Sequence, residues 1–349
     1  MSEKKTVNDY ITKFRPELMG LAILWIVWFH SSLSPAIFPW RPVSVCFLFI
    51  KAIGYCGADI FLFLSGYGIA RSLTRNSTSQ FAKNRAKKIL PIWLSYLPVF
   101  LILVTCFFNS TPTITEILGH ITFTGFWLEM SYQGNWYVFT IVLFYLLSPM
   151  LYLLFKKARV KSRMCMILMC IAFLISFLFF GKTALIAFSR LPIYIFGMYV
   201  FMDKKDVSVG TGHILICLMS LITGVVALYL FMYFFPSYLW TFGLWWYPSI
   251  LIASALTILL TVLFDKIKTK CGALLWTFRK FGSASLEILL VSDFFFDYVY
   301  PSDKLTFVSG QLRNWLIFIL SFVIALIYHK IIEVCKSRCT VFLAKKKTD

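Results

Sequence analysis

Long apolar segments separated by short basic loops constrain this chain more than any other feature of its sequence. Of its 349 residues, 60% are hydrophobic and 14% are charged, a composition outside the range of soluble globular domains. A helix needs about 20 apolar residues to cross a hydrocarbon core of about 30 Å. The segments that approach this length are 16–36, 43–70, 89–108, 135–155, 164–181, 184–202, 213–235, 244–264, 283–300 and 314–334. The sequence therefore predicts an all-α, polytopic membrane helical bundle of about ten transmembrane helices.

The distribution of Lys and Arg predicts the orientation of these helices, because such residues concentrate in short cytoplasmic loops. Most of the 34 fall in alternate loops and at both ends of the chain. The opposite loops hold Arg41, Lys182, Lys304 and Arg313, while Lys51 and Arg190 lie within apolar segments. Both termini are therefore predicted to be cytoplasmic. Topology accounts for the net charge of +19, which consequently does not indicate binding of nucleic acid.

The chain is predicted to form a single membrane domain over residues 1–349, with a core at 10–335 and a short basic cytoplasmic tail at 336–349. The first segment is too long and too polar for a cleaved signal peptide, so we expect it to remain as an anchor. The nine cysteines are scattered, without metal-ligand spacing. Neither a disulfide framework nor a metal site is expected.

Two ionisable residues within apolar segments, His30 and Asp59, are the first candidates for a functional site. Such groups cost several kcal/mol at membrane depth, so they face the bundle interior or a cavity. Counting helical rise from the predicted inner boundary places both at roughly 16 to 22 Å, where they can meet. A carboxylate that orients an imidazole makes a general base. The same positions are equally compatible with an interhelical hydrogen bond of His30 and a structural pair of Asp59.

Short motifs follow one another along most of the chain. They are Arg15-Pro16-Glu17-Leu18 leading to His30, Gly57-Ala58-Asp59 through Ser65-Gly66-Tyr67, the basic run Arg85 to Pro91, Asn135-Trp136-Tyr137 with Tyr145 and Pro149, Arg190-Leu191-Pro192 with Phe196-Gly197, and Gly282 with Ser285-Leu286-Glu287. Their order and spacing resemble the acyltransferase-3 family of membrane acyltransferases.

The resemblance implies an O-acyltransferase of the bacterial cytoplasmic membrane. Its donor would be acetyl-CoA or another cytoplasmic acyl-CoA, used as a co-substrate with no bound cofactor. Its acceptor would be a hydroxyl of a cell-envelope or exported polysaccharide, or of a lipid-linked saccharide. About 15 residues follow the last segment, so we expect direct transfer without an appended transferase domain. A partner protein of envelope biosynthesis is also compatible with the sequence.

Site residues follow from the same resemblance. His30, oriented by Asp59, would deprotonate the acceptor or receive the acyl group, and Ser65 is a weaker candidate that would hydrogen-bond the acyl carbonyl. The basic side chains proposed for the phosphates of coenzyme A are Arg85, Lys88 and Arg71. The residues proposed for the substrate are Trp136, Glu17 and Arg190.

Three positions depart from the family pattern. Met19 stands where a cation usually precedes the histidine by eleven residues, so a cation near His30 either comes from elsewhere, with Arg15 and Arg190 as candidates, or is absent. Lys88 keeps the charge of a paired-arginine motif but lacks the planar fork that grips phosphate. Ser292 stands where a second histidine is common, so a role for that histidine is not carried over.

Arg190 needs a carboxylate, a carbonyl or a ligand phosphate, because an unpaired guanidinium inside an apolar segment is costly. Asp293 and Asp297, four residues apart on one helix face, either supply that partner or belong to an outer vestibule. Buried His, Asp and Arg also fit a proton-coupled transporter or flippase, although the repeated halves of many such carriers are absent. A membrane sensor without turnover is a third alternative to the acyltransferase.

Overall fold

The computed structural model describes residues 5–33, 41–75, 78–107, 112–129, 135–203, 208–299 and 310–345. Within the helices, the side chains of 78–88, 104, 107 and 339–345 lie outside the description. The described backbone is predominantly helical, and its one strand-type pairing is an isolated antiparallel bridge between Thr6 and Ser208. The predicted all-α class is confirmed for this part of the chain.

The helices are numbered in chain order. They are α1 Val7–His30, α2 Arg41–Ala52, α3 Cys56–Arg75, α4 Thr78–Phe107, α5 Ile114–Ile121, α6 Trp136–Lys157, α7 Lys161–Phe177, α8 Leu185–Phe188, α9 Leu191–Met202, α10 Thr211–Phe234, α11 Ser249–Ile267, α12 Gly272–Ser283, α13 Ser285–Phe294 and α14 Gly310–Lys345. A 3-10 turn occupies Pro236–Tyr238, and a π-helical turn at Phe295–Val299 follows α13.

Five helical segments of the described chain are long and apolar enough to cross a membrane. They are Trp136–Lys157, Leu185–Met202, Thr211–Phe234, Ser249–Ile267 and Gly310–Arg338. The α2–α3 pair adds a sixth if it forms one broken span. Together these segments make the chain a multi-pass helical membrane protein. The count of ten spans and the cytoplasmic location of both termini stay predictions.

The second predicted segment, 43–70, is two helices rather than one. Helices α2 and α3 meet at a bend of 45°. Gly54 lies in this break, where an added Cβ would come within 2.7 Å of Phe29 and 2.8 Å of the Trp25 carbonyl oxygen. The bend therefore lies where the chain passes directly against α1, an approach that a side chain at residue 54 would block.

Close backbone contacts hold α3 to α9 and α1 to α12. A Cβ added at Gly66 would lie 2.1 Å from the Tyr194 carbonyl oxygen, and one at Gly197 would lie 2.1 Å from that of Phe63. Gly20 and Gly282 make the equivalent contacts between α1 and α12. Small residues allow helices to pack this closely in membranes. These contacts fix the three helices that carry the principal polar residues, α1, α3 and α9.

Candidate active site

A cavity of about 450 Å³ lies among α1, α3, α4, α6 and α13. Most of its wall is aliphatic or aromatic, which is usual for a ligand pocket with a few orienting polar groups. Apart from tyrosines and tryptophans, the residues of its wall with polar side chains are Arg15, His30, Ser65, Asn135, Arg190, Ser285, Asp293 and Asp297. The cavity thus brings together residues that are widely separated in sequence.

The α1 side of the cavity is a single stripe of side chains. Arg15, Met19, Ile26 and His30 all line the wall, and the helical repeat of about 100° per residue puts them within about 60° of one another. Arg15 and His30 are fifteen residues apart, which corresponds to about 22 Å along the helix. The wall of the cavity therefore extends over about 22 Å along α1.

His30 is the last residue of α1, and its ring lines the cavity. The ring packs edge-to-face on Phe29 with centroids 5.0 Å apart. Among the described residues the imidazole has no hydrogen-bond or ion-pair partner. Its ring nitrogens are therefore available to a ligand in the cavity.

Contacts from neighbouring helices fix the chain directly after His30. The Ser31 N–H donates to the carbonyls of Val27 and Trp28, which ends α1. The Lys51 ammonium of α2 donates to the carbonyl oxygens of Ser31 at 2.6 Å and Leu33 at 2.9 Å. Carbonyls at a helix C-terminus lack intrahelical donors, and a lysine supplies them here. Lys51 consequently anchors the end of the helix that presents His30.

Asp59 and Arg190 form a buried ion pair beside the cavity. The Arg190 Nε lies 3.1 Å from Asp59 Oδ1, with side-chain exposures of 2% and 0%. Arg190 Nη1 also donates to the Ile186 carbonyl oxygen at 3.1 Å. The guanidinium lies over the rings of Trp136 and Trp246, at 4.8 and 5.0 Å from their centroids, so cation–π contacts support it on two sides.

The observed ion pair differs from the contacts that the sequence predicts for Asp59 and Arg190. The sequence predicts an Asp59–His30 contact and offers Asp293 or Asp297 as partners of Arg190, whereas the described contacts join Asp59 to Arg190. A buried guanidinium is always charged and needs a counter-ion more than a neutral imidazole does. Among the predicted substrate residues, Arg190 and Trp136 line the cavity.

Asn135 connects α6 to α13 at the cavity wall. Its Oδ1 accepts from the Tyr137 N–H at 3.0 Å and caps α6, while its Nδ2 donates to Asp293 Oδ2. Asp297 lies one turn further on, in the π-helical turn, a feature often found at functional sites. Asp293 and Asp297 thus line the cavity without an ion pair to Arg190 in the described structure, and their place in an outer vestibule stays a prediction.

The other predicted site residues lie in different surroundings, and among those whose side chains are described only one lines the cavity. Ser65 of α3 is buried and lines the cavity. Glu17 is fully buried and accepts from the Arg279 Nε at 3.0 Å and from Nη2 of the same side chain, so its contacts are those of an α1–α12 ion pair. Arg71 donates to the Thr12 hydroxyl at 3.2 Å. Arg85 and Lys88 lie on α4 with side chains outside the described residues.

A second polar cluster, which the motifs alone do not reveal, surrounds Glu287. Its carboxylate accepts from the Ser95 hydroxyl at 2.7 Å and contacts His329 Nδ1 at 3.1 Å. The Ser292 hydroxyl donates to the Leu289 carbonyl oxygen instead. The histidine near the Ser-Leu-Glu motif therefore comes from α14, and its only sequence signal is a histidine near the end of the last apolar segment, directly before Lys330.

The fold and the cavity define a multi-pass helical membrane protein with a polar site enclosed by its helices. A family model for acyltransferase domains, acyltransferase-3, matches residues 18–328, a range that contains every residue of the cavity wall except Arg15. The chain belongs to the acyltransferase-3 family and is an acyltransferase of the class that transfers groups other than aminoacyl groups. No match was found among curated proteins or among solved structures.

Proposed function

We propose that the protein transfers an acyl group, most simply acetyl, from cytoplasmic acyl-CoA to a hydroxyl of a cell-envelope or exported polysaccharide or a lipid-linked saccharide. The observation that carries this proposal is that one cavity wall contains both the imidazole of His30, which has no partner among the described residues, and the guanidinium of Arg190. Family membership supports acyl transfer over the transporter alternative. The setting we propose is the bacterial cytoplasmic membrane.

His30 is the proposed general base. The imidazole takes the proton of the acceptor hydroxyl as its oxygen attacks the thioester carbonyl. The tetrahedral intermediate collapses, the carbon–sulfur bond breaks, and the thiolate of coenzyme A leaves. The imidazolium returns the proton to this thiolate, so no proton is gained or lost overall. Attack of His30 itself on the thioester, followed by transfer to the hydroxyl, gives the same balance.

Arg190 and Ser65 are the proposed stabilisers of the reacting carbonyl. Because Asp59 and two tryptophans hold the guanidinium in place, its charge needs no reorganisation when negative charge develops on the carbonyl oxygen. Ser65 has a hydroxyl in the same wall and would donate to that oxygen. In this scheme Asp59 is a positioning residue that acts through Arg190.

The remaining assignments concern binding. Trp136, beside Asn135 in the cavity wall, offers an aromatic face and a nearby amide, which suits a sugar ring. Arg71, Arg85 and Lys88 would attract the phosphates of coenzyme A at the cytoplasmic side. A partner protein that delivers the acceptor remains part of this proposal.

Release of free coenzyme A from acetyl-CoA by the purified protein, with envelope glycans supplied, tests the proposal. Replacing His30 by Ala is expected to lower turnover about 100-fold or more, the usual contribution of a general base. His213→Ala is the matched control, because His213 is a half-buried imidazole on α10 that does not line the cavity. Full turnover in a folded His30→Ala protein would overturn the assignment of the base.

A further inference from the structure

Arg15 is a half-buried cation without a counter-ion in the described structure. Its Nε is buried with no hydrogen-bond partner, and no described carboxylate forms an ion pair with it. Arg190 and Arg279, by contrast, are paired with Asp59 and Glu17. A charge removed from water without a partner is costly, so an anion in the cavity would complete the site.

The position of the guanidinium is set by α3. A Cβ at Gly68 would lie 2.8 Å from Arg15 Nη2, 2.9 Å from Cζ and 3.0 Å from Nη1. The planar group therefore rests on the bare backbone of Gly68. Ser65 is one turn away on α3, and Ser65, Tyr137 and Tyr145 line the cavity together with Arg15. The cavity wall thus contains donors from α1, α3 and α6.

The distance from Arg15 to His30 matches the length of the donor's arm. About 14 bonds separate the phosphorus next to pantetheine from the acyl carbonyl carbon, and at about 1.2 Å per bond, as in an extended peptide, this spans about 17 Å. The two Cα atoms are about 22 Å apart along α1. The Arg15 and His30 side chains cover the remaining few ångströms.

The wall between these two residues suits the arm chemically. Met19, Ile26, Ala58 and Phe61 line it, and none carries a charge. Pantetheine is itself uncharged, with methyl and methylene groups between its amides. Of the two cations in the described wall of the cavity, Arg15 and Arg190, only Arg190 has a carboxylate partner, so a phosphate would meet the uncompensated charge at Arg15.

We propose that Arg15 binds the phosphate adjoining the pantetheine arm of the donor, with the arm extending along the cavity towards His30. The inference rests on the proposed function, in which the donor is an acyl-CoA. In this arrangement the anionic part of the donor ends at Arg15, and the thioester points towards His30.

Binding of coenzyme A, 4′-phosphopantetheine and pantetheine to the purified full chain in nanodiscs tests this inference. The wild type is expected to prefer 4′-phosphopantetheine over pantetheine by about 10-fold or more, the value of one charge-assisted contact. Arg15→Gln should abolish that preference, and Arg15→Lys should restore part of it. Arg163→Gln, which removes an exposed charge of α7, should keep it.

Each result separates the two proposals. If the wild type binds coenzyme A and Arg15→Gln keeps the preference for the phosphorylated arm, the role of Arg15 is overturned while the proposed function stands. If the wild type binds coenzyme A but shows no preference, the role of Arg15 is overturned as well. If the wild type does not bind coenzyme A, the proposed donor is wrong and the inference falls with it. Equal thermal unfolding midpoints confirm that the variants are folded.

Discussion

At the scale of single residues, the Asp59–Arg190 pair separates stability from chemistry. Both side chains are buried beside the cavity, and only Arg190 lines it. Asp59 therefore stabilises the structure and positions a charge, whereas Arg190 is placed to act on a substrate. Substitutions that remove one or both charges distinguish these contributions.

Asp59→Asn leaves the guanidinium buried without a counter-ion and is expected to destabilise the protein by about 3–5 kcal/mol. The double variant Asp59→Leu, Arg190→Met removes both charges, so it should recover most of that loss. It should nevertheless stay inactive, since the guanidinium of Arg190 is gone from the cavity wall. Thermal unfolding and coenzyme A release measure the two properties. Wild-type activity in the double variant would show that the pair is structural only.

The sequence predicts which polar residues are buried better than it predicts their partners. Counting helical rise estimates the depth of His30 and Asp59, but depth alone does not determine which way a side chain faces around its helix. The direction depends on packing of α1, α3 and α9, which brings Arg190 to Asp59. The same limit hid the Glu287–His329 contact, because residues 42 positions apart meet only through the packing of α13 and α14.

At the scale of helices, the α3–α9 contact is one of the close backbone approaches that support the site. Gly66→Ala would put a Cβ 2.1 Å from the Tyr194 carbonyl oxygen, a clash that backbone atoms relieve only by moving apart. We expect a loss of at least about 2 kcal/mol, towards the upper end of overpacking effects. The unfolding midpoint in detergent measures it.

Gly212→Ala on α10 is the control for this substitution. Nothing lies within 4 Å of a Cβ at Gly212, so the change should be neutral or stabilise the helix by up to about 1 kcal/mol. Equal stability of the Gly66 and Gly212 variants would contradict the close packing of α3 on α9.

Lys51 tests how α2 affects the end of α1. Lys51→Met removes the donors to the carbonyls of Ser31 and Leu33, so the segment after His30 should loosen. We expect turnover to fall roughly 10-fold, as a misplaced catalytic group costs rate steeply, with a smaller change in the unfolding midpoint. Lys51→Arg, which keeps the donors, should restore much of the rate. Unchanged kinetics in Lys51→Met would rule out this anchoring role.

Helix type and approximate position are accessible from the sequence because apolar length is a strong signal. The break between α2 and α3 is not, since 43–70 reads as a continuous apolar segment and its bend depends on Gly54 lying against α1. The contribution of Lys51 is equally hidden, because its acceptors belong to the chain that follows another helix. Sequence patterns therefore predict the elements, while contacts between elements determine the site.

At the scale of the whole molecule, the position of the cavity explains why the proposed reaction would use a membrane protein. Its wall extends along α1 from Arg15 to His30, so in the proposed reaction a donor entering at one end would reach an acceptor at the other without either crossing the bilayer. The basic loops predict that the Arg15 end is cytoplasmic. We therefore propose that acyl transfer occurs across the membrane through this cavity.

Proteoliposomes loaded with radiolabelled acetyl-CoA, with the glycan acceptor outside, test that claim most directly. Protein inserted with its Arg15 end facing the lumen should transfer label to the external glycan. His30→Ala should abolish transfer, whereas His213→Ala should preserve it. Label that stays inside as acetyl-CoA in the wild type, or transfer that continues at the wild-type rate in His30→Ala, would contradict the account.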